Sequence, residues 1–184
     1  LKGWSSGLRH GWVRRYTTGV AYDRRLFSAF ADSDAPLSVF PEDRLFVYPF
    51  VAIELVQDRF EKSTNHDQIS RTEDRFLGTR FGARLGVARS AFGSDRDAWL
   101  INVGTQRGFG NSDGSSLILA SELETRVENG GLQNFSVDMS ARYYRRQSAK
   151  RLLYAGLTAT LGRNLDVDNQ LLLGGDSGLR GYPL

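Results

Sequence analysis

The sequence has no cysteine, only two histidines and only three lysines. The first absence removes a disulfide framework and thiolate chemistry, though it selects no compartment. The second, with His10 and His66 far apart, argues against a multi-histidine metal site. The third means that basic charge is carried by arginine, with Lys2, Lys62 and Lys150 as the exceptions. The net charge of +3 is small and dispersed, and the pairs Arg14-Arg15, Arg24-Arg25 and Arg145-Arg146 lie in or beside strand patterns rather than in a basic tail. Nucleic acid is therefore not an expected partner. There is no opening signal segment and no long apolar run, which excludes helical membrane spans but not a barrel, whose strands alternate. The chain does not begin with Met and stops two residues after Tyr182. The expectation is a piece of a longer polypeptide.

Helical periodicity is also scarce. Period two dominates, placing alternate side chains on opposite faces of a sheet. Segment 12–23 puts Tyr16, Val20 and Tyr22 opposite Arg15, Thr17, Gly19, Ala21 and Asp23. A long connection over 24–43 contains Pro36 and Pro41, and segment 44–57 resumes with Val51, Ile53 and Leu55 on one face. Residues 58–75 are polar and predict a loop. The pattern over 76–92 predicts one strand, with Leu77, Thr79, Phe81, Ala83, Leu85 and Val87 opposite Gly78, Arg80, Gly82, Arg84, Gly86 and Ala88.

Four more strands are predicted at 98–109, 115–128, 132–147 and 151–162, separated by short turns that include Asn129-Gly130. Their polar faces carry Asn102 and Gln106, then Glu122, Glu124 and Arg126, then Asp138, Arg142 and Arg146, then Thr158 and Thr160. The count is seven strong strands and a weaker eighth at 170–173. Tight turns favour an antiparallel meander.

Strands of soluble proteins usually run ~3–10 residues, whereas tilted membrane strands need ~9–11 merely to cross the hydrocarbon. The long segments, with one face apolar and one lined by Gly and Arg, therefore predict an all-β, antiparallel transmembrane barrel. The apolar face would meet lipid, and the lumen would hold Arg80, Arg84, Glu122, Glu124, Arg126, Asp138, Arg142 and Arg146, the acids paired with arginines. Trp12, Tyr16, Phe46, Tyr48, Phe92, Trp99, Phe109 and Tyr143 fall mainly near strand ends, where an interfacial girdle would place them. An open sheet edge is not viable in hydrocarbon, so further strands are expected.

The run Leu171-Leu172-Leu173-Gly174-Gly175, followed after a short spacer by Leu179-Arg180-Gly181-Tyr182, resembles the sixth extracellular loop of the Omp85 superfamily. Pro41-Glu42-Asp43-Arg44 through Tyr48-Pro49 to Asp58-Arg59-Phe60 resembles the surface-antigen (D15-like) barrels of that superfamily. So do Ser70-Arg71-Thr72-Glu73-Asp74 and Gly93-Ser94-Asp95-Arg96-Asp97-Ala98-Trp99. The resemblance implies a barrel of about sixteen strands, of which this chain holds seven or eight. It implies that 163–184 begins a loop folded back into the lumen, with Gly174, Gly175, Arg180, Gly181 and Tyr182 as its locking motif. It also implies a non-enzymatic role in inserting or translocating other membrane or secreted polypeptides. The setting would be the bacterial outer membrane, with lipid and lipopolysaccharide outside and no cofactor. The alternatives are a passive porin-like or structural barrel, a membrane domain anchoring a separate catalytic domain, and a soluble all-β domain. Whether 170–173 is strand or loop decides which connections are extracellular, and the sequence leaves that open.

Other chemistries are weaker. Gly175-Asp176-Ser177-Gly178 looks like the surround of a serine nucleophile, but that chemistry needs a nearby His base and orienting acid. Asn164, Asp166, Asp168 and Asn169 offer oxygens without the glycine turn and distal Glu of a calcium loop, and predict a solvated turn. Glu54 and Glu122 carry no sign of a glycosidase pair, and no phosphate-binding glycine loop occurs.

Overall fold

A computed structural model describes residues 1–28, 41–64, 71–148 and 151–169. These residues form an all-β, antiparallel structure. Eight strands make one sheet: β1 (Lys2–Arg9), β2 (Trp12–Arg25), β3 (Arg44–Gln57), β6 (Thr79–Ala88), β7 (Ala98–Gly110), β8 (Ser115–Glu128), β9 (Gly131–Ser148) and β10 (Arg151–Arg163), in that spatial order. β4 (Phe60–Thr64) and β5 (Thr72–Phe76) form a separate hairpin inserted between β3 and β6. The sheet is open, with β1 and β10 at its edges.

Alternation makes these strands, and the registers keep the two faces in phase. The row Glu54, Gly82, Gly104, Glu122, Asp138, Thr160 runs across β3, β6, β7, β8, β9 and β10 on one side. Its neighbours Ile53, Ala83, Val103, Leu123, Val137 and Leu161 run across the other. A slip of one residue anywhere would carry charge to the apolar side. The polar face is concave, because side chains from strands that are not neighbours meet above it. Arg126 of β8 lies over the ring of Phe46 of β3, 5.2 Å to the centroid, although β6 and β7 intervene.

The apolar face is exposed: Val51, Leu85, Leu119, Leu157 and Leu161 stand in the open, Leu157 at 70%. Among the described residues, the few buried apolar side chains lie on the concave side: Phe50, and two clusters, one at each end of the sheet. Phe46, Ala88 and Ala98 form the first; Leu77, Ile118 and Tyr144 form the second.

Pro49 sits inside β3, and its position explains why it is tolerated. β3 pairs with β6 only from Phe50 to Val56. Beyond that the β6–β7 connection takes over as a surrogate strand: Leu45 N donates to Asp95 Oδ2 at 2.7 Å and Val47 N to Ser94 Oγ at 2.8 Å. The proline falls where the ladder changes partner, so its missing N–H breaks no strand pairing.

Several sequence expectations need correction. The polar stretch 58–75 is not simply a loop, because it carries the β4–β5 hairpin. The predicted strand 76–92 is interrupted: β6 starts at Thr79, and Ser90–Phe92 is a 3-10 turn. Leu77 does not face outward; it is fully buried against Ile118 and Tyr144 on the concave side. Gly78 permits the turn, since a Cβ there would lie 2.7 Å from the Gln57 carbonyl oxygen. Phe46 and Tyr48 also face inward and join no outer girdle. Residues 2–9 form a strand missed in the sequence. The proposed eighth strand at 170–173 lies outside the described residues.

Candidate functional site

The middle of the concave face is a polar trough of about 630 Å³, lined from Ala52 and Glu54 on β3 to Thr158 and Thr160 on β10. Gly82 and Gly104 keep its floor open: a Cβ at Gly104 would meet nothing within 4 Å. Most of the expected lumen residues gather on this face, but their partners differ from expectation. The acid at the centre of the ion pairing is Glu54, which receives Arg15 at 2.8 Å and Arg80 at 2.6 Å. Glu122 accepts from Asn102 Nδ2 at 3.3 Å, and Asp138 from Thr160 Oγ1 at 2.5 Å. Glu122, Glu124 and Asp138 form no ion pair with an arginine among the described residues, although pairing was expected. The reason is placement: Glu122 faces Asp138, a second acid, directly across the β8–β9 ladder, and Arg84, which shares the row of Glu124, stands two strands away from it. Arg84 spends its charge on rings instead, with its guanidinium 3.7 Å from the Phe50 centroid. Arg142 Nε has no hydrogen-bond partner among the described residues.

Each end of the trough is covered by a different device. At one end the β4–β5 hairpin folds over the concave face. Leu77 plugs between β8 and β9, and Gly108 clears the space, since a Cβ there would sit 2.6 Å from Leu77 Cα. Arg75 donates to Ser116 Oγ at 3.0 Å and stacks on Tyr144 at 4.2 Å. Arg146 reaches back to the hairpin, donating to the Thr64 carbonyl at 2.7 Å and to Ser63 Oγ at 3.1 Å. Glu61 accepts the Ser112 N–H at 2.7 Å. Arg146 is thus a fastener of the hairpin rather than a partner of lumen acids.

At the opposite end, residues 164–169 leave β10 and cross the concave face. Three arginines from three strands grip two aspartates. Arg126 of β8 makes a two-pronged pair with Asp166, at 2.8 and 3.0 Å. Arg44 of β3 contacts both acids, 3.1 Å to Asp166 and 2.7 Å to Asp168. Arg25 of β2 completes the set on Asp168 at 2.8 Å. Arg126 also pairs with Glu128.

Asn134 anchors the same segment by its backbone. It adopts a left-handed conformation, φ 48°, within an irregularity of the β8–β9 ladder. Its freed N–H donates to the Asn164 carbonyl at 2.7 Å, and its Oδ1 accepts from Asp166 N and Asn169 Nδ2. Asn tolerates this backbone better than most residues, and a bulge is the usual way to turn a ladder group outward.

The expected solvated turn at Asp166 and Asp168 is therefore wrong. Both side chains are mostly covered, at 15% and 11% exposure, and their oxygens are spent on guanidinium groups. Among the described residues, no cluster of His, Cys, Asp or Glu is arranged to hold a metal. Arg25, Arg44, Asn134, Asp166 and Asp168 had no signal in the sequence as a set, because nothing local links positions so far apart. Gly174, Gly175, Ser177, Arg180, Gly181 and Tyr182 lie outside the described residues, as does His66.

No family model, no curated protein and no solved structure matches the chain.

Proposed function

We propose that this chain is part of a bacterial outer-membrane β-barrel of the Omp85 type, which assists insertion or translocation of other polypeptides without covalent chemistry. The observation that carries the reading is the two-faced sheet of long strands. On β7 the outward row is Trp99, Ile101, Val103, Thr105, Arg107 and Phe109. Ten residues of strand span about 33 Å, or ~25 Å at a tilt of ~40°, the height of the apolar band of such barrels. Aromatic residues mark both margins: Tyr22, Phe92 and Trp99 at one, Trp12, Phe109 and Tyr143 at the other. Outward cations at the margins lie over these rings, Arg89 by Trp99 and Arg107 by Phe109. Arginine at a bilayer interface snorkels in this way.

The polar trough supports a lumen, and the segment after β10 supports the start of a loop that enters it. The outer face would meet lipid and lipopolysaccharide; client outer-membrane or secreted polypeptides would be handled at the lumen or a strand edge. The Omp85 assignment itself rests on the resemblance of 171–182. Its test is Arg180→Glu in the full-length protein, with client assembly or secretion as the readout. Loss of client handling with the barrel still present in the outer membrane is expected. Undiminished handling would favour a passive pore, and a full-length product soluble without detergent would end the membrane reading altogether.

A further inference from the structure

We propose that Arg25, Arg44 and Arg126 form a docking site for an Asp-X-Asp segment, filled in cis by Asp166-Val167-Asp168, and that this clasp fixes the path of the chain after β10 and braces the mouth of the sheet. It involves no residue of the 174–182 motif, so it does not rest on the reading of Arg180.

Three observations carry it. First, the arginines are built into the structure. Arg44 and Arg126 are only 7% and 8% exposed, and each is held on an aromatic ring, Arg44 over Phe27 and Arg126 over Phe46. Guanidinium groups this covered need anionic partners. Second, the spacing fits two carboxylates on alternate residues. Arg44 places Nη1 on Asp166 and Nη2 on Asp168, while Arg126 and Arg25 close the outer sides. Bidentate guanidinium–carboxylate pairs fix geometry as well as supplying energy. Third, the main chain is held separately. Asn134 binds Asn164, Asp166 and Asn169, and Asn164 Nδ2 donates to the Leu132 carbonyl at 2.9 Å.

The arginines belong to β2, β3 and β8, with β6 and β7 between the last two. An anion pair at this point draws the β2–β3 pair toward β8, with which it shares no ladder. The clasp therefore sets the curvature of this end of the sheet, whereas strand pairing alone leaves it free to flatten.

The test uses the full-length protein with a single reporter, Leu165→Cys, a half-buried position with no polar role in the clasp; the 184 residues themselves contain no competing thiol. Reaction with a bulky maleimide at neutral pH is slow when the segment is seated. In the background Asp166→Asn plus Asp168→Asn, the rate should rise about tenfold or more, since several charge-assisted hydrogen bonds are lost. Asp168→Asn alone should be intermediate, and Val167→Thr, which leaves both carboxylates in place, should stay as slow as the parent. An Ile118→Cys reporter, buried at the other end of the concave face, checks that the sheet persists. If it shows collapse in the double variant, the single variant decides. Equal Leu165→Cys rates in all backgrounds with the sheet intact would overturn the clasp. The labelling can be done in detergent or in water, so failure of the membrane reading and failure of the clasp are separate results.

Discussion

Ion pairs of the same nominal kind have different weights on this concave face. Glu54 lies between Arg15 and Arg80, whose side chains are 56% and 60% exposed. Solvent screens such pairs, so Glu54→Gln should cost about 1 kcal/mol or less in denaturant unfolding. Asp166 lies among covered guanidinium groups, and Asp166→Asn leaves Arg126 with Glu128 alone and Arg44 with Asp168 alone. The expected loss is about 3 kcal/mol. A measured order opposite to this would remove the distinction.

Acid should act at the same place. Burial by itself would raise the pKa of Asp168, but hydrogen bonds from Arg44 and then Arg25 outweigh it and hold the carboxyl below its usual range. The charged groups at this end of the concave face are Asp23 and Arg25 on β2, Arg44 on β3, Arg84 on β6, Glu124 and Arg126 on β8, and neighbouring Asp166. A carboxyl depressed in the folded state contributes fully above its unfolded pKa, about 3.9, and the contribution is lost as pH falls through the lower folded value. A spin label at exposed Val167→Cys should therefore keep its mobility from about pH 8 to 5 and gain mobility below about pH 4. A change confined to the range near pH 6–7 would point to a different group.

At the scale of elements, the strands were legible and the covers were not. β3 and β8 match their sequence boundaries because apolar and polar residues alternate without interruption. The β4–β5 hairpin carries Glu61, Lys62, Ser63 and Thr64, whose polarity reads as loop when its partners Ser112 and Arg146 are unknown. The sequence pattern puts Leu77 on the wrong face because alternation runs through it unbroken, and Gly78 looks like one more of the glycines at 82 and 86. Its burial depends on Gly108, some thirty positions away.

Two glycines on one strand test this account. Gly104→Ala should be nearly neutral beyond strand propensity, because the space above it is empty. Gly108→Ala pushes against Leu77 backbone, which cannot swing aside as a side chain can. The expected result is a displaced hairpin, read as faster trypsin cleavage at Arg59 and Lys62 with β-sheet circular dichroism retained. Leu77→Ala should release the hairpin by loss of packing, at a cost of roughly 2–5 kcal/mol. Equal protease resistance in the two glycine variants would refute the crossing.

At the scale of the molecule, the sheet presents two exposed surfaces of different chemistry and two bare edges. Among the described residues, β10 pairs only with β9, so over thirteen residues its alternate N–H and C=O groups point to an open edge, and it is exposed on both faces along nearly its whole length. β1 is shorter and bulged between Ser5 and Leu8, which blunts it as a template. Residues 1–184 produced alone should associate in water in a concentration-dependent way, and detergent should suppress the association. Leu157→Glu, at the most exposed leucine of β10's outer row, should reduce association in water without disturbing the trough. A monomeric, detergent-independent product would contradict this.

The segment after β10 also has a mechanical consequence. Tension arriving from beyond residue 169 meets the aspartate–arginine contacts before it meets the β10 edge. The force passes into β2, β3 and β8, where it shears long ladders, instead of peeling β10 from β9 one residue at a time. Pulled from that side, the sheet should yield first by release of a short length of slack at residues 164–169. With Asp166 and Asp168 neutralised, it should unzip from its edge at lower force.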